Sequence, residues 1–181
     1  PGLRDVTGRE SLADIMMVQD DPFCARGAAA LGYGATHGEQ QVVLRPEDIR
    51  ERLQAWVTAQ GEQTTIGYVT DIAIGQREPR SGRVRTVVIS YTSNQRREMP
   101  AHEFRRMMGP HIVRSTLWKS LETRQRGGER RVNDWVITCT GYGHGVGMSQ
   151  ISAWAMAKEG FTHLQILRTF YHGAEVGPWG R

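Results

Sequence analysis

The chain is short of cysteine. Its two cysteines, Cys24 and Cys139, are far apart in the sequence and no Cys-x-x-Cys pair occurs, which argues against a zinc ribbon. A disulfide between them and two separate thiols both stay open, two buried thiols being the commoner outcome. Cys24 with His37 supplies two metal ligands at most, fewer than a site needs. We therefore expect no metal and no cofactor.

Long apolar segments are also absent. No run approaches the length needed to cross a bilayer, so we expect no transmembrane segment. No signal peptide is visible either. The chain begins with Pro1 rather than methionine. We therefore expect a processed or truncated product, in which a missing signal says nothing about export.

Lysine is nearly absent as well. Lys119 and Lys158 are the two lysines among 23 basic residues, and the net charge is +4. Arginine suits planar carboxylate or phosphate partners, and a basic surface favours an anionic polymer. Charge alone does not say which polymer. A nucleic-acid-binding module is a remote alternative that rests on charge alone, and we expect no nucleic acid partner.

The sequence does contain a run of alternating glycines at positions 141, 143, 145 and 147, with one titratable side chain, His144, in its middle. Such a run suits neither a strand nor a helix interior, but it lets the backbone lie close to a ligand or a neighbouring strand. It has neither the Lys-Ser/Thr ending of a P-loop nor the spacing of a dinucleotide fingerprint. It predicts a strand-to-loop-to-helix junction. The loop either lines an open groove that His144 faces, or makes a tight connection around a core histidine.

Periodicity and turn residues predict the remaining elements. In chain order these are an irregular segment over 1–40 with a turn at 20–24, a helix over 46–60, two strands within 65–91, a short helix over 99–109, strands over 113–121 and 132–140 joined by a basic hairpin tip at 124–131, and two helices after the glycine run. Alternation along the first strand is predicted for Ile66, Tyr68, Ile72 and Ile74. The fold class is therefore α+β, with antiparallel strand pairs, short helices and a Gly-rich loop leading into a C-terminal helix pair.

Local signals also predict where the last two helices begin and end. Ser149 is a plausible N-cap for the first of them, and Gly160 ends it. Thr162-His-Leu-Gln165 has the spacing of a capping box and opens the second. Gly173 is expected to close the second helix.

A longer pattern runs through this part of the chain. Residues 141–150, Gly-Tyr-Gly-His-Gly-Val-Gly-Met-Ser-Gln, are followed by Ala153, Ala155-Met156-Ala157, Gly160, Ile166-Leu167 and Phe170-Tyr171-His172-Gly173. This series resembles the C-terminal signature of the stage II sporulation protein D / amidase enhancer LytB family. Ser81-Gly82-Arg83-Val84 and Ser115-Thr116 add weaker matches. The resemblance covers roughly residues 20–175 and is strongest over 141–173.

The resemblance implies a bacterial cell-wall protein with a single α+β domain of the sporulation-D type. It implies domain limits of 1–40 for an irregular, truncated start, 41–175 for the domain and 176–181 for a tail. The implied location is extracytoplasmic, in the cell wall, periplasm or intermembrane space, with the signal or anchor lost from this sequence. The implied substrate is peptidoglycan. The motif positions that would bind it are Tyr142, Gly143, His144, Gly145, Gly147, Met148, Ser149, Gln150 and Tyr171.

The resemblance also implies a reaction whose acid is missing here. Characterised members are lytic transglycosylases, and others are described as enhancers of wall amidases. The family's catalytic glutamate lies in a Glu-Met-Pro-like sequence near the start of the domain, beside a Ser-Ser-x-Gly-Gly-like loop. Glu98-Met99-Pro100 is far downstream and precedes an Arg-rich element, so we interpret it as coincidence. We expect the acid upstream of this sequence and a supporting role for His144.

Two functions remain open after this step. The first is lytic transglycosylase-type cleavage, and the second is a non-catalytic peptidoglycan-binding module that enhances an amidase. Expected partners are peptidoglycan glycan strands, with a wall amidase or a second polypeptide that supplies the missing segment. A domain without its first third would leave apolar faces uncovered, which favours self-association into a homo-oligomer. The faces at risk are Ile49, Leu53 and Trp56 on the helix predicted over 46–60 and Leu164, Leu167 and Tyr171 on the last helix.

Overall fold

The computed structural model describes residues 22–33, 38–79, 81–126, 132–145 and 147–171, together with Glu175 and Gly177. The chain divides into two compact units. We call residues 38–144 the sheet unit, and the described residues of 1–37 and 145–181 the helical unit. Helices and antiparallel sheets occur together in the described chain, so the predicted α+β class is confirmed. The predicted domain limits at 40 and 175 stay predictions.

Eleven elements occur in the described residues. In chain order they are α1 (Pro22–Ala30), β1 (Glu39–Leu44), α2 (Pro46–Ala59), β2 (Val69–Arg77), β3 (Val84–Tyr91), β4 (Gln95–Pro100), α3 (Ala101–Met108), β5 (Trp118–Arg126), β6 (Val132–Thr140), α4 (Gln150–Lys158) and α5 (His163–Phe170). The strands form two antiparallel sheets, in the orders β1-β6-β5 and β2-β3-β4. None of the helices in the described residues is long and apolar enough to cross a membrane.

Helix α2 forms where the sequence predicts it. Pro46 stands in its first turn, where its missing N–H costs nothing, and Glu47 and Asp48 lie at the positive end of the helix dipole. Ile49 and Leu53 are fully buried in the sheet unit. The expectation that this helix face would be left uncovered is therefore wrong.

One of the predicted strand patterns, that of β2, differs from the structure in register. Strand β2 begins at Val69, and shifts in its pairing with β3 break the simple alternation. Val69 and Ile72 are consequently buried, whereas Tyr68 is 47% exposed. A β-bulge inserts one residue on one strand and so moves later side chains to the other face. The prediction that Tyr68 alternates with Ile72 on one face is wrong for this reason.

The strand predicted over 113–121 is shifted along the chain, because β5 covers Trp118–Arg126 and leaves Ser115 and Thr116 outside it. Ser115 instead makes an isolated parallel bridge to Gly143. The predicted short helix is confirmed as α3, which begins after Pro100 and stops at Gly109. Of the predicted hairpin tip, residues 127–131 lie outside the described residues.

The core of the sheet unit is a single cluster of apolar side chains from both sheets and from α2 and α3. Phe104 and Trp118, both members of this cluster, pack edge to face with ring centroids 5.8 Å apart. The largest fully buried side chains of the cluster are Trp118, Trp135, Phe104, Leu44, Ile49, Leu53, Ile66, Ile89, Met108 and Ile137.

The first part of the helical unit differs from the sequence prediction. Residues 1–40 were predicted to be irregular with a turn at 20–24, yet α1 covers Pro22–Ala30. Helix α1 packs closely on α4, because a Cβ added at Gly27 would come within 2.8 Å of both Ile151 Cγ2 and the Ile151 carbonyl oxygen. Phe23 also meets Phe161 edge to face at 5.6 Å. The short alanine-rich helix is therefore held by tertiary contacts, which its own sequence does not reveal.

The two C-terminal helices begin as predicted. The Ser149 hydroxyl accepts a hydrogen bond from Ser152 N and caps α4. Thr162 and Gln165 form the complete capping box of α5. Helix α5 ends at Phe170, and Gly173 lies outside the described residues. On its apolar face Ile166 is buried, while Leu164 is 37% exposed.

Candidate functional site

The first half of the glycine run is a loop that leaves β6 at Thr140. Gly141 and Gly143 have φ values of 73° and 96°, which favour glycine because a Cβ would crowd the carbonyl. The side chains between and after them, those of Tyr142 and His144, are exposed. The predicted loop is confirmed, and the interpretation of His144 as a core histidine is wrong.

The loop backbone is fixed by a neighbouring segment. Gly143 N donates to the Arg114 carbonyl oxygen at 2.8 Å, and Thr116 N donates to the Gly143 carbonyl oxygen at 3.2 Å. The Thr116 hydroxyl donates to the His144 carbonyl oxygen at 3.0 Å. Three hydrogen bonds over two consecutive loop positions give His144 a defined backbone position.

The supporting segment is itself anchored from two sides. Val84 N donates to the Thr116 carbonyl oxygen at 2.9 Å, and the indole N–H of Trp118 donates to the Ser115 carbonyl oxygen at 2.8 Å. Arg83 Nη1 lies 3.4 Å from Ser115 Oγ and 3.3 Å from Thr116 Oγ1 and donates to both. The three stretches that resemble one family at separate places in the sequence are therefore one hydrogen-bonded unit around His144.

Arg105 is a further residue of this site, and the sequence analysis missed it. Its side chain is only 8% exposed, its Nε donates to the Arg114 carbonyl oxygen at 3.0 Å, and its Cζ lies 5.1 Å from the centre of the Tyr142 ring. A cation over an aromatic face at that distance is attracted by the ring. A signal was present: Ala101, Phe104, Arg105 and Met108 share helical spacing and all are buried.

The second half of the glycine run belongs to the helical unit. Gly147 has a φ of 85°, and a Cβ placed on it would lie 3.5 Å from the Tyr171 hydroxyl. Met148 is 38% exposed and Tyr171 46% exposed, and Gly145 and Gln150 are also exposed. The Ser149 hydroxyl is occupied as a helix cap. Ser149 thus has a structural task beside its predicted contact with substrate.

Glu98, which lies just before α3, and Glu103, which lies within α3, differ in environment. Glu98 is exposed. Glu103 accepts a hydrogen bond from Arg106 Nη1 at 3.0 Å and lies 3.4 Å from His102 Nε2. A glycosidase acid is kept protonated by an apolar pocket. Neither carboxyl group has such a pocket.

Cys24 and Cys139 are both thiols, and Gln40 Nε2 donates to Cys139 Sγ at 3.3 Å. Within the described ranges, no group of three His, Cys, Asp or Glu side chains could hold a metal ion.

A cleft of about 510 Å³ lies beside the β3–β4 turn. Its lining is polar apart from Tyr91, and it includes the turn residues Ser93 and Asn94, which have positive φ. It contains none of the predicted site residues.

Comparison with known proteins finds a matching family model and three partial matches to bacterial proteins. The family described as "Domain of unknown function (DUF8618)" matches residues 40–147. An uncharacterised protein of Brachyspira hyodysenteriae is 28% identical over 120 residues, the amidase enhancer of Bacillus subtilis 33% over 78 residues, and the stage II sporulation protein D of Bacillus subtilis 50% over 40 residues.

These relatives are matched only in part. The aligned segments are 66%, 43% and 22% of this chain, and 27%, 10% and 12% of the respective relatives. The chain therefore spans about a quarter or less of each relative's length. The predicted resemblance is supported as a distant and partial relation to the amidase enhancer and to the sporulation protein.

Proposed function

We propose a function for this chain from the premise that it belongs to the DUF8618 family, whose match covers more than half of its residues. It binds peptidoglycan glycan strands through the Gly141–His144 loop and takes part in lytic transglycosylase-type cleavage. The acid would be a glutamate outside residues 1–181. The observation that carries the proposal is the exposure of Tyr142 and His144 on a loop whose backbone is fixed by hydrogen bonds.

The lytic transglycosylase reaction needs a carboxylic acid and a surface that positions the sugar. In a lytic transglycosylase a carboxylic acid protonates the bridging glycosidic oxygen, and the same group then takes the proton of the muramic acid 6-hydroxyl as that oxygen attacks the anomeric carbon. The product is a 1,6-anhydro sugar, and no water is consumed. What this chain supplies is position: an imidazole that can exchange hydrogen bonds with sugar hydroxyls and an aromatic ring with one apolar face.

Because its backbone is fixed, the loop can hold the bound sugar in one position during cleavage. Cleavage is faster when the bound sugar is already held in the geometry of the reaction. A sugar that is disordered when bound has to lose more entropy to reach the transition state. The Thr116 hydroxyl and the Gly143 backbone bonds supply that constraint at the loop backbone. The distant relation to a sporulation protein and an amidase enhancer supports a wall polymer as the substrate class.

The test is to incubate purified residues 1–181 with peptidoglycan sacculi. We expect the chain to pellet with the sacculi and to release no 1,6-anhydromuramyl product detectable by mass spectrometry. Release of that product would move the acid into this chain, and E98Q and E103Q would then identify it. Failure of the chain to pellet would contradict the binding role.

A second function is favoured by one specific observation, the 33% identity over 78 residues to the amidase enhancer of Bacillus subtilis. In this alternative the chain binds peptidoglycan without any part in glycan cleavage and raises the rate of a wall amidase. The two functions separate in one assay. An amidase digest with the chain added would release stem peptides faster under the second function, and at an unchanged rate under the first.

A further inference from the structure

Among the described residues, the Arg105 guanidinium has no acidic partner for its charge, although the side chain is largely buried. The side chain is 8% exposed, yet no ion pair within the described residues includes it. Its single protein hydrogen bond in that part of the chain is the one from Nε to the Arg114 carbonyl oxygen at 3.0 Å. Buried charges in proteins are normally paired, because desolvation penalises a charge that is left alone.

The contacts that Arg105 does make leave part of the guanidinium for a ligand. Nε is used by the protein, so the Nη1 and Nη2 pair keeps the fork geometry that matches a carboxylate. The Tyr142 ring, 46% exposed, lies 5.1 Å from Cζ and covers one side of the plane. The tyrosine thereby orients the guanidinium and places it next to the loop that presents His144.

Two other arginines, Arg97 and Arg106, differ from Arg105 because each is paired with a carboxylate. Arg97 donates to both carboxylate oxygens of Glu62, and Arg106, one residue along α3, donates to Glu103. These arginines are more exposed than Arg105 and are nevertheless paired with carboxylates. Within the described ranges, the more buried arginine of α3 thus lacks the carboxylate partner that Arg97 and Arg106 have, which is the opposite of what a purely structural arrangement favours.

We propose that Arg105, held by Tyr142 and the Arg114 carbonyl group, is a subsite for a carboxylate of the bound polymer. The proposal rests on the proposed function, because peptidoglycan carries carboxylates on its peptide stems beside the glycan. The subsite binds one carboxylate through the two terminal guanidinium nitrogens while the sugar lies along Tyr142 and His144. It therefore sets the polymer in one register on the loop.

The experiment measures binding to two forms of one ligand. Teichoic-acid-free sacculi are used as prepared, and after carbodiimide and methylamine have converted their carboxylates into neutral N-methylamides. Sedimentation titrations give an apparent Kd for the wild type, for R105Q and for the matched control R106Q on each form. R106Q removes a charge from the same helix at an exposed position.

The wild type is expected to bind native sacculi about tenfold or more tighter than neutralised sacculi, the ratio expected for charge-assisted hydrogen bonds. R105Q loses that preference and binds the neutralised form as the wild type does. R106Q keeps the preference. If R105Q has lost its thermal unfolding transition, R105K takes its place, because it keeps the charge, loses the fork and is expected to weaken native binding alone.

Three results overturn the subsite. One is an equal loss by a folded Arg105 variant on both forms, which is the result for a structural residue. Another is a wild-type preference that survives R105Q. The third is Arg105-dependent binding confined to walls that retain teichoic acid, which would assign the site to phosphate. Absence of wild-type binding to every preparation instead overturns the proposed function, and with it the subsite.

Discussion

The sheet unit and the helical unit bury very different amounts of apolar side chain. Twenty buried residues form the described core of the sheet unit, whereas four form that of the helical unit. The sheet unit is therefore stabilised by its interior. The described helical unit has a smaller core, and its stability depends on the helix caps at Ser149 and Thr162 and on two tertiary contacts, the close approach at Gly27 and the edge-to-face pair of Phe23 and Phe161.

The same difference runs through the glycine motif. Its first half is held by backbone bonds to Arg114 and Thr116, far away in the sequence. Its second half leads into a helix whose cap lies within the motif itself, at Ser149. Long-range contacts thus fix Tyr142 and His144, while a local signal fixes the start of α4. Substitutions can test this difference between the units.

The largest effect is expected in the core of the sheet unit. F104A removes a fully buried ring that packs against Trp118. We expect the free energy of unfolding to fall by about 3–5 kcal/mol, from lost burial and from the cavity left behind. Denaturant titration followed by circular dichroism measures it. L164A, at a position 37% exposed in the helical unit, is the control and should change it by less than about 1 kcal/mol. Similar losses for both variants would remove the contrast.

A smaller effect is expected where α1 meets α4. In G27A the new methyl group would lie 2.8 Å from the Ile151 carbonyl oxygen, a backbone atom that cannot move aside cheaply. Overpacking lowers the free energy of unfolding by about 1–3 kcal/mol. The higher helix propensity of alanine relative to glycine raises it by about 1 kcal/mol. We expect a net loss of up to about 2 kcal/mol, seen as faster amide hydrogen exchange in α1 and α4. G38A, where a Cβ would meet nothing within 4 Å, is the control. A gain in protection from G27A would contradict the close packing.

The smallest effect concerns a surface ion pair of the sheet unit. A hydrogen bond from Arg97 holds the pKa of the Glu62 carboxyl below its usual value. The ion pair therefore stabilises the fold above the ordinary glutamate pKa, and this contribution is lost as the pH falls through the lowered one. E62Q should lower Tm slightly at pH 7, and the difference from wild type should shrink as the pH is lowered. A Tm difference that is the same at every pH would rule out this origin.

Elements with local signals could be predicted from the sequence. Helix α2 has Pro46 and two acidic residues in its first turn, and α5 has the Thr162–Gln165 capping box. Each of these signals lies within one helical turn of the boundary that it sets. No partner from elsewhere in the chain is needed to read them, and both helices begin where they were expected.

Elements that depend on distant partners were missed. Strand β1 pairs with β6, so that Gln40 lies opposite Cys139. Strand β4 has the sequence Gln-Arg-Arg-Glu-Met-Pro, in which apolar and polar residues hardly alternate. All six of its residues nevertheless pair with β3. Strand pairing of this kind is set by the partner and not by the short strand's own pattern.

The candidate site divides in the same way. Tyr142 and His144 were identified from the motif, because glycine alternation around polar side chains is visible in the sequence. Arg105 was not, because its importance comes from the Arg114 carbonyl group and the Tyr142 ring, which only the fold brings to it. An arginine on the buried side of a helix was the available signal.

In the proposed function, the fixed loop presents His144 to a peptidoglycan strand. The most direct test is sedimentation of H144A with sacculi beside H163A, which removes an exposed histidine from the start of α5. We expect H144A to weaken binding by about two- to tenfold, the range for one lost hydrogen bond, with H163A equal to wild type. Binding by H144A that matches the wild type, or an equal loss in both variants, would contradict the claim.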